Sequence, residues 1–116
     1  MLRGEIRLVN LEPTRGSEAN QSRPAVIVSN DRANAVADRL GRGVVTVVPV
    51  TRNMDRVYPF QTRLPAEATG LPADSKAQAE QIRSVAVERV GAVLGRLPAD
   101  LLTELEDALR LHLALD

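Results

Sequence analysis

In residues 44–50 (VVTVVPV) every position except Pro49 is β-branched. Side chains branched at Cβ are stiff about χ1, crowd a helix and pack well on a pleated surface, so the run predicts a strand covered on both faces. Pro49 lacks an N–H and is expected to mark a bulge or the point where pairing ends. A chain built around such a strand must supply partners for both of its edges.

The partners are legible on either side. Residues 4–10 (GEIRLVN) alternate Ile6 and Leu8 with Glu5 and Arg7, the period of a strand with one wet face. Residues 23–29 (RPAVIVS) are too apolar to be solvated on both faces, and Asn30-Asp31 ends them with turn-favouring residues. Further strands are predicted at 58–64 (YPFQTRL), 75–84 and 87–94, with loops at 11–22, 53–57 and 65–74 and no more than a short helical turn at 33–37. Tyr58-Pro59-Phe60 reads as core.

The C-terminal segment differs. Leu102, Leu105, Leu109 and Leu113 recur at three- and four-residue steps, Pro98 suits a first helical turn, and Asp100 and Glu104 complement the helix dipole. An amphipathic helix is predicted over 98–115, with Glu106 and Arg110 as an exposed i,i+4 pair and His112 in the last turn. Short, curved strands closed by one terminal helix argue for a mainly β fold, a small β-barrel.

At 116 residues and 44% apolar content the chain is expected to form a single domain, 1–116. No apolar stretch approaches the ~20 residues of a membrane span, and no leader pattern is present, so a cytoplasmic protein without membrane association is expected. The absence of cysteine and the single histidine leave little for thiolate chemistry or imidazole metal sites, and metal-free, cofactor-free chemistry is expected. Fifteen basic residues balance fifteen acidic ones, so any basic groove would be local. With only Tyr58 and Phe60 as aromatics, base-stacking surfaces cannot be numerous.

Chemistry is suggested first by the loop that precedes the second strand. Gly16-Ser17-Glu18 leads to Arg23-Pro24, and Pro24 fixes the chain direction where the arginine enters the strand. Arginine offers a planar, permanently charged fork suited to phosphate or carboxylate. Read alone, Arg23 could equally open an edge strand beside a surface loop.

Six motifs in order carry more: Gly4-Glu5-Ile6 with Leu11-Glu12-Pro13, Gly16-Ser17-Glu18, Arg23-Pro24-Ala25-Val26, Val48-Pro49-Val50-Thr51, Tyr58-Pro59-Phe60, and Glu80-Gln81-Ile82-Arg83-Ser84. Together they resemble the MazF/PemK family of toxin endoribonucleases nearly end to end. The resemblance implies an SH3-like barrel of the CcdB/MazF/Kid type that forms a homodimer. It also implies metal-free cleavage of single-stranded RNA in a groove across both subunits, and a cognate MazE-like antitoxin that blocks the groove.

Metal-free cleavage through the ribose 2′-hydroxyl requires charge stabilisation at the phosphoryl oxygens, a base, and a proton for the leaving 5′-oxygen. By the resemblance, Arg23 stabilises the developing charge and Thr51 supplies a catalytic hydroxyl. Glu80 aligns with the general base of the Kid/PemK branch, although that branch carries an arginine where this chain has Gln78. Glu18 is the competing carboxylate. Ser17, Glu18, Gln81 and Arg83 match groove-lining positions, and Arg52 and Arg56 could add backbone contacts. The alternatives are a CcdB-like topoisomerase poison of the same fold, and a relative that has lost activity.

Overall fold

The computed structural model describes residues 1–12 and 22–116. Its strands are β1 (Glu5–Asn10), β2 (Ser22–Ile27), β3 (Val44–Thr51), β4 (Gln61–Leu64), β5 (Ser75–Gln78), β6 (Arg83–Ala86) and β7 (Val90–Arg96). The helices are α1 (Asp31–Leu40), α2 (Ala66–Thr69) and α3 (Ala99–Leu113), with 3-10 turns at Ala79–Gln81 and Val87–Arg89.

All strand pairings are antiparallel, in the order β4, β5, β3, β2, β1, β7, with β6 also on β3. The β-branched run is central, as its composition requires. On one edge β3 meets β2 through Ala25–Pro49 and Ile27–Val47. On the other it pairs with β6 up to Val47–Arg83 and then with β5 from Val50–Ala77. The partner changes across residues 48 and 49, where fully buried Pro49 contributes no N–H to a ladder.

The expected barrel is not closed by hydrogen bonds, because β4 and β7 end the sheet unpaired with each other. The chain just beyond β4 nevertheless packs on β7: a Cβ added at Gly95 would lie 2.3 Å from the Thr69 carbonyl oxygen. Two apolar clusters fill opposite faces of the curved sheet. One joins Ile6, Val26, Val48, Val50 and Leu64 to Leu101, Leu105 and Ala108 of α3. The other joins Val9, Leu11, Ala25, Ile27, Val45, Val47 and Val85 to Ala37 of α1.

Several local expectations need correction. Residues 31–40 form a full helix rather than a short turn, because Asn30 is its N-cap and accepts from the Ala33 N–H at 2.8 Å. Gly41, at φ 63°, ends it in the left-handed conformation. Buried Asn34 ties this helix to the sheet by donating to the Ser29 carbonyl and accepting from the Ser29 hydroxyl, which in turn accepts from Thr46 N–H. The strand expected over 58–64 begins only at Gln61, and Tyr58-Pro59-Phe60 is not core: Tyr58 and Pro59 are exposed and Phe60 half-buried. The stretch 75–84 is divided by the 3-10 turn at Ala79–Gln81.

Glu106 does not pair with Arg110. It accepts from Arg3 at 2.7 Å, while Arg110 takes Asp107 at 2.8 Å. Arg3 also donates through Nε to the Val28 carbonyl, and its backbone N–H meets Asp31, so one residue ties the N-terminus to the residue after β2, to α1 and to α3. Burial pushes the Glu5 carboxyl up, but the Leu2 N–H, the Arg7 guanidinium and the N-terminal charge outweigh it and leave the pKa lowered. Arg7 continues to the Gly91 carbonyl on β7. Among the described residues no helix is long and apolar enough to cross a membrane.

Candidate active site

Cross-strand neighbours in an antiparallel sheet share a face, which fixes how the strands present their side chains. Counting back from Ala25–Pro49 places Arg23 of β2 level with Thr51 of β3. On the opposite edge Thr51 pairs with Lys76 of β5. Arg23 and Thr51, far apart in sequence, line one cleft of about 320 Å³ at the strand ends. Arg52, Asn53, Pro72 and Ser75 complete much of its wall.

The Thr51 hydroxyl oxygen accepts from the Asn53 N–H at 3.2 Å, and Asn53 in turn accepts from Asp55 N–H at 3.1 Å. These short turns fix the loop after β3 and leave the hydroxyl proton of Thr51 available for donation. The four ion pairs among the described residues involve the N-terminus, Arg3, Arg7 and Arg110. Arg23, Arg52, Arg56 and Arg83 are in none of them, so no carboxylate among the described residues neutralises their charge.

The other expected site residues are placed differently. Arg83 lies on β6, level with Val47, and donates to the Leu11 carbonyl at 3.2 Å. Gln81 is half-buried at the end of the 3-10 turn. Glu80 does not line the Arg23–Thr51 cleft; its Oε2 accepts from Gln61 Nε2 at 2.7 Å, and its Oε1 is buried without a partner among the described residues. The turn that separates β5 from β6 points this carboxylate toward β4. Gln78 Oε1 is likewise buried and unpartnered. Ser17 and Glu18 lie outside the described residues.

Arg56 is exposed and donates to the Tyr58 hydroxyl at 3.3 Å, a bond that raises its pKa further above the ordinary arginine value. Its guanidinium carbon lies 5.6 Å from the Tyr58 ring centre. Lys76 has no counterpart among the expected residues. It is buried, and its amino group donates to the Arg56 carbonyl, tying the loop after Thr51 to β5. Its solitary status among fourteen arginines was the one available signal. Among the described residues no three His, Cys, Asp or Glu side chains come together as a metal site. A cavity of about 610 Å³ lies between α1 and the start of β3 against Val36, Leu40 and Val44, and holds none of these residues.

Residues 2–113 match the model of the PemK-like, MazF-like toxins of type II toxin–antitoxin systems. The chain belongs to this family. It is 64% identical to endoribonuclease MazF9 of Mycobacterium tuberculosis over 115 residues, covering 99% of this chain and 98% of that protein. The fold is similar to a crystal structure of MazF from Deinococcus radiodurans, with a TM-score of 0.80 and 28% identity over 99% of this chain and 97% of that one. It is also similar to the MazE–MazF complex of the same organism, with a TM-score of 0.75 and 28% identity over 100% and 98% of the two chains. The toxin's arginine and threonine thus share a cleft on a MazF-type sheet.

Proposed function

We propose that this toxin is a sequence-specific endoribonuclease that cleaves single-stranded RNA by transesterification, without a metal or cofactor. The observation that carries the reading is the convergence of Arg23 and Thr51 on one cleft, with no ion pair among the described residues neutralising the arginine. The ribose 2′-oxygen attacks the adjacent phosphorus, the bond to the 5′-oxygen breaks, and the products carry a 2′,3′-cyclic phosphate and a 5′-hydroxyl. Arg23 stabilises charge on the non-bridging oxygens, a role that needs no proton transfer from a group so weakly acidic. Thr51 donates its hydroxyl to a phosphoryl oxygen or orients the attacking ribose.

No carboxylate lines the cleft among the described residues. Glu80 is accordingly assigned to positioning, through Gln61, and Glu18 to proton removal. Arg52, Arg56, Gln81, Arg83 and Ser17 are assigned to holding the RNA. The working unit is a cytoplasmic homodimer whose RNA groove a cognate MazE-like antitoxin occupies. The endoribonuclease name of the M. tuberculosis relative favours this reading over a topoisomerase poison.

The test is incubation of the purified protein with a long defined RNA in EDTA, with cut sites and end groups mapped. Discrete cuts at one short motif with cyclic phosphate ends are expected, and Arg23→Ala should reduce the rate by about 100-fold or more, the cost typical of losing a donor to developing negative charge. Its melting temperature should stay close to the parent's, since Arg23 makes no ion pair among the described residues. Ends bearing a 3′-hydroxyl and 5′-phosphate, or no cleavage by folded protein, would overturn the proposal.

A further inference from the structure

The chain contains one tyrosine and one phenylalanine, and the fold leaves both out of its core. Tyr58 and Phe60 stack on each other, with ring centres 5.1 Å apart and planes 5° from parallel, while Tyr58 remains 40% exposed. Valine, isoleucine, leucine and alanine fill the interior instead. Aromatic rings are the largest apolar groups available to a small domain, so packing alone does not explain leaving both outside the core clusters.

The stack is held in place from below. Tyr58 N–H donates to Gln61 Oε1 at 3.1 Å, Gln61 N–H returns to the Tyr58 carbonyl at 2.9 Å, and Gln61 Nε2 continues to Glu80. Buried Lys76 holds the Arg56 carbonyl two residues before the tyrosine. Because Lys76 is also the register partner of Thr51, the same lysine links the stack to the strand end that bears the candidate catalytic hydroxyl. The Arg56 guanidinium lies over the tyrosine ring and adds a positive charge.

An aromatic surface with an arginine beside it, tied through Lys76 to the strand end that bears Thr51, has the composition that unstacked nucleobases use on single-strand binders: a ring face for the base and a cation for the backbone. We propose that Tyr58 and Phe60, together with Arg56, form a stacking subsite for one nucleobase of the RNA flanking the scissile phosphate. The inference rests on the endoribonuclease reading. It assigns Tyr58 to substrate binding and to the positioning of RNA, and Glu80 and Gln61 to keeping the surface preformed.

The chain has no tryptophan and a single tyrosine, so its intrinsic emission reports Tyr58 alone. The probe is an oligonucleotide spanning the mapped cut site with 2′-O-methyl riboses, which cannot be cleaved whichever residue is the base. Titrating it into the parent protein should change the tyrosine emission. Tyr58→Leu should weaken binding by about tenfold or more, the loss expected of one stacked base, and Tyr58→Phe should restore most of it. Replacing flanking nucleotides one at a time by abasic ones should reveal a single position whose base matters to the parent and no longer matters to Tyr58→Leu. Unchanged emission with tight binding, or a folded Tyr58→Leu protein that binds within twofold of the parent, would overturn the subsite while leaving the nuclease reading intact. Absence of both RNA binding and cleavage in the parent would overturn the reading itself.

Discussion

Glu80 illustrates how a side chain's partner decides its role. Its carboxylate accepts the Gln61 amide at 2.7 Å, and a glutamine at the same position can accept that bond as well. Glu80→Gln is therefore expected to cleave RNA within about threefold of the parent, whereas a missing general base would cost about 100- to 10,000-fold. Glu80→Ala removes the acceptor, frees Gln61 and should raise KM more than it lowers kcat, because the Tyr58 turn loses its anchor. Steady-state kinetics on a short RNA containing the mapped site measure both, and a near-complete loss of kcat in Glu80→Gln would return the carboxylate to the chemistry. At this scale the position of Arg23 and Thr51 at strand ends was legible from Pro24 and the β-branched run, whereas the roles assigned to them came from the motif resemblance alone. Lys76 and Gln61 were not, since their importance arises from cross-strand register and from a bond to a residue 19 positions away.

Elements form where local and tertiary preferences agree, and the misread segments are those where they compete. The central strand was plain from its β-branched composition and the terminal helix from its leucine periodicity. Helix α1 was missed because Asn30-Asp31 signals a turn and an N-cap alike, and only the Ala33 N–H bond distinguishes them. Strand β4 is short because Tyr58-Pro59-Phe60 forms a turn closed by the Gln61 N–H on the Tyr58 carbonyl, with the Tyr58 and Phe60 rings stacked, instead of joining the ladder. The approach of α2 to β7 was invisible in sequence, yet it makes Gly95 a sensitive position. A methyl there would sit 2.3 Å from the Thr69 carbonyl oxygen, a backbone atom that moves only with its helix. Gly95→Ala should cost about 1–3 kcal/mol, in the range of overpacked cores. Gly91→Ala, whose Cβ would lie 3.2 Å from the Leu8 carbonyl oxygen, should cost less. Urea denaturation of both variants at unchanged m-value gives the comparison, and equal stability for Gly95→Ala and the parent would refute the close contact.

For the whole molecule, a net charge of zero conceals an uneven use of cations. Arg3, Arg7 and Arg110 are neutralised within the fold, whereas the other described arginines, Arg23, Arg52, Arg56 and Arg83 among them, lie outside the ion pairs among the described residues. Arg23 and Arg52 line one cleft, and Arg56 stands in the loop that continues from it. Composition could report the balance of charge but not this segregation, which depends on which carboxylates the fold brings to which arginines. An anionic strand on this surface should release counterions from each phosphate that an arginine contacts. With three or four such contacts, the logarithm of the binding constant for uncleavable 2′-O-methyl RNA should fall against the logarithm of salt concentration with a slope of about −2 to −3. Arg56→Ala should make that slope shallower by about 0.7, the single-strand value for one phosphate, whereas Arg110→Ala should leave it unchanged because that arginine already pairs with Asp107. A slope near zero for the parent would mean that the unpaired arginines do not meet the RNA backbone and that recognition depends on uncharged contacts alone.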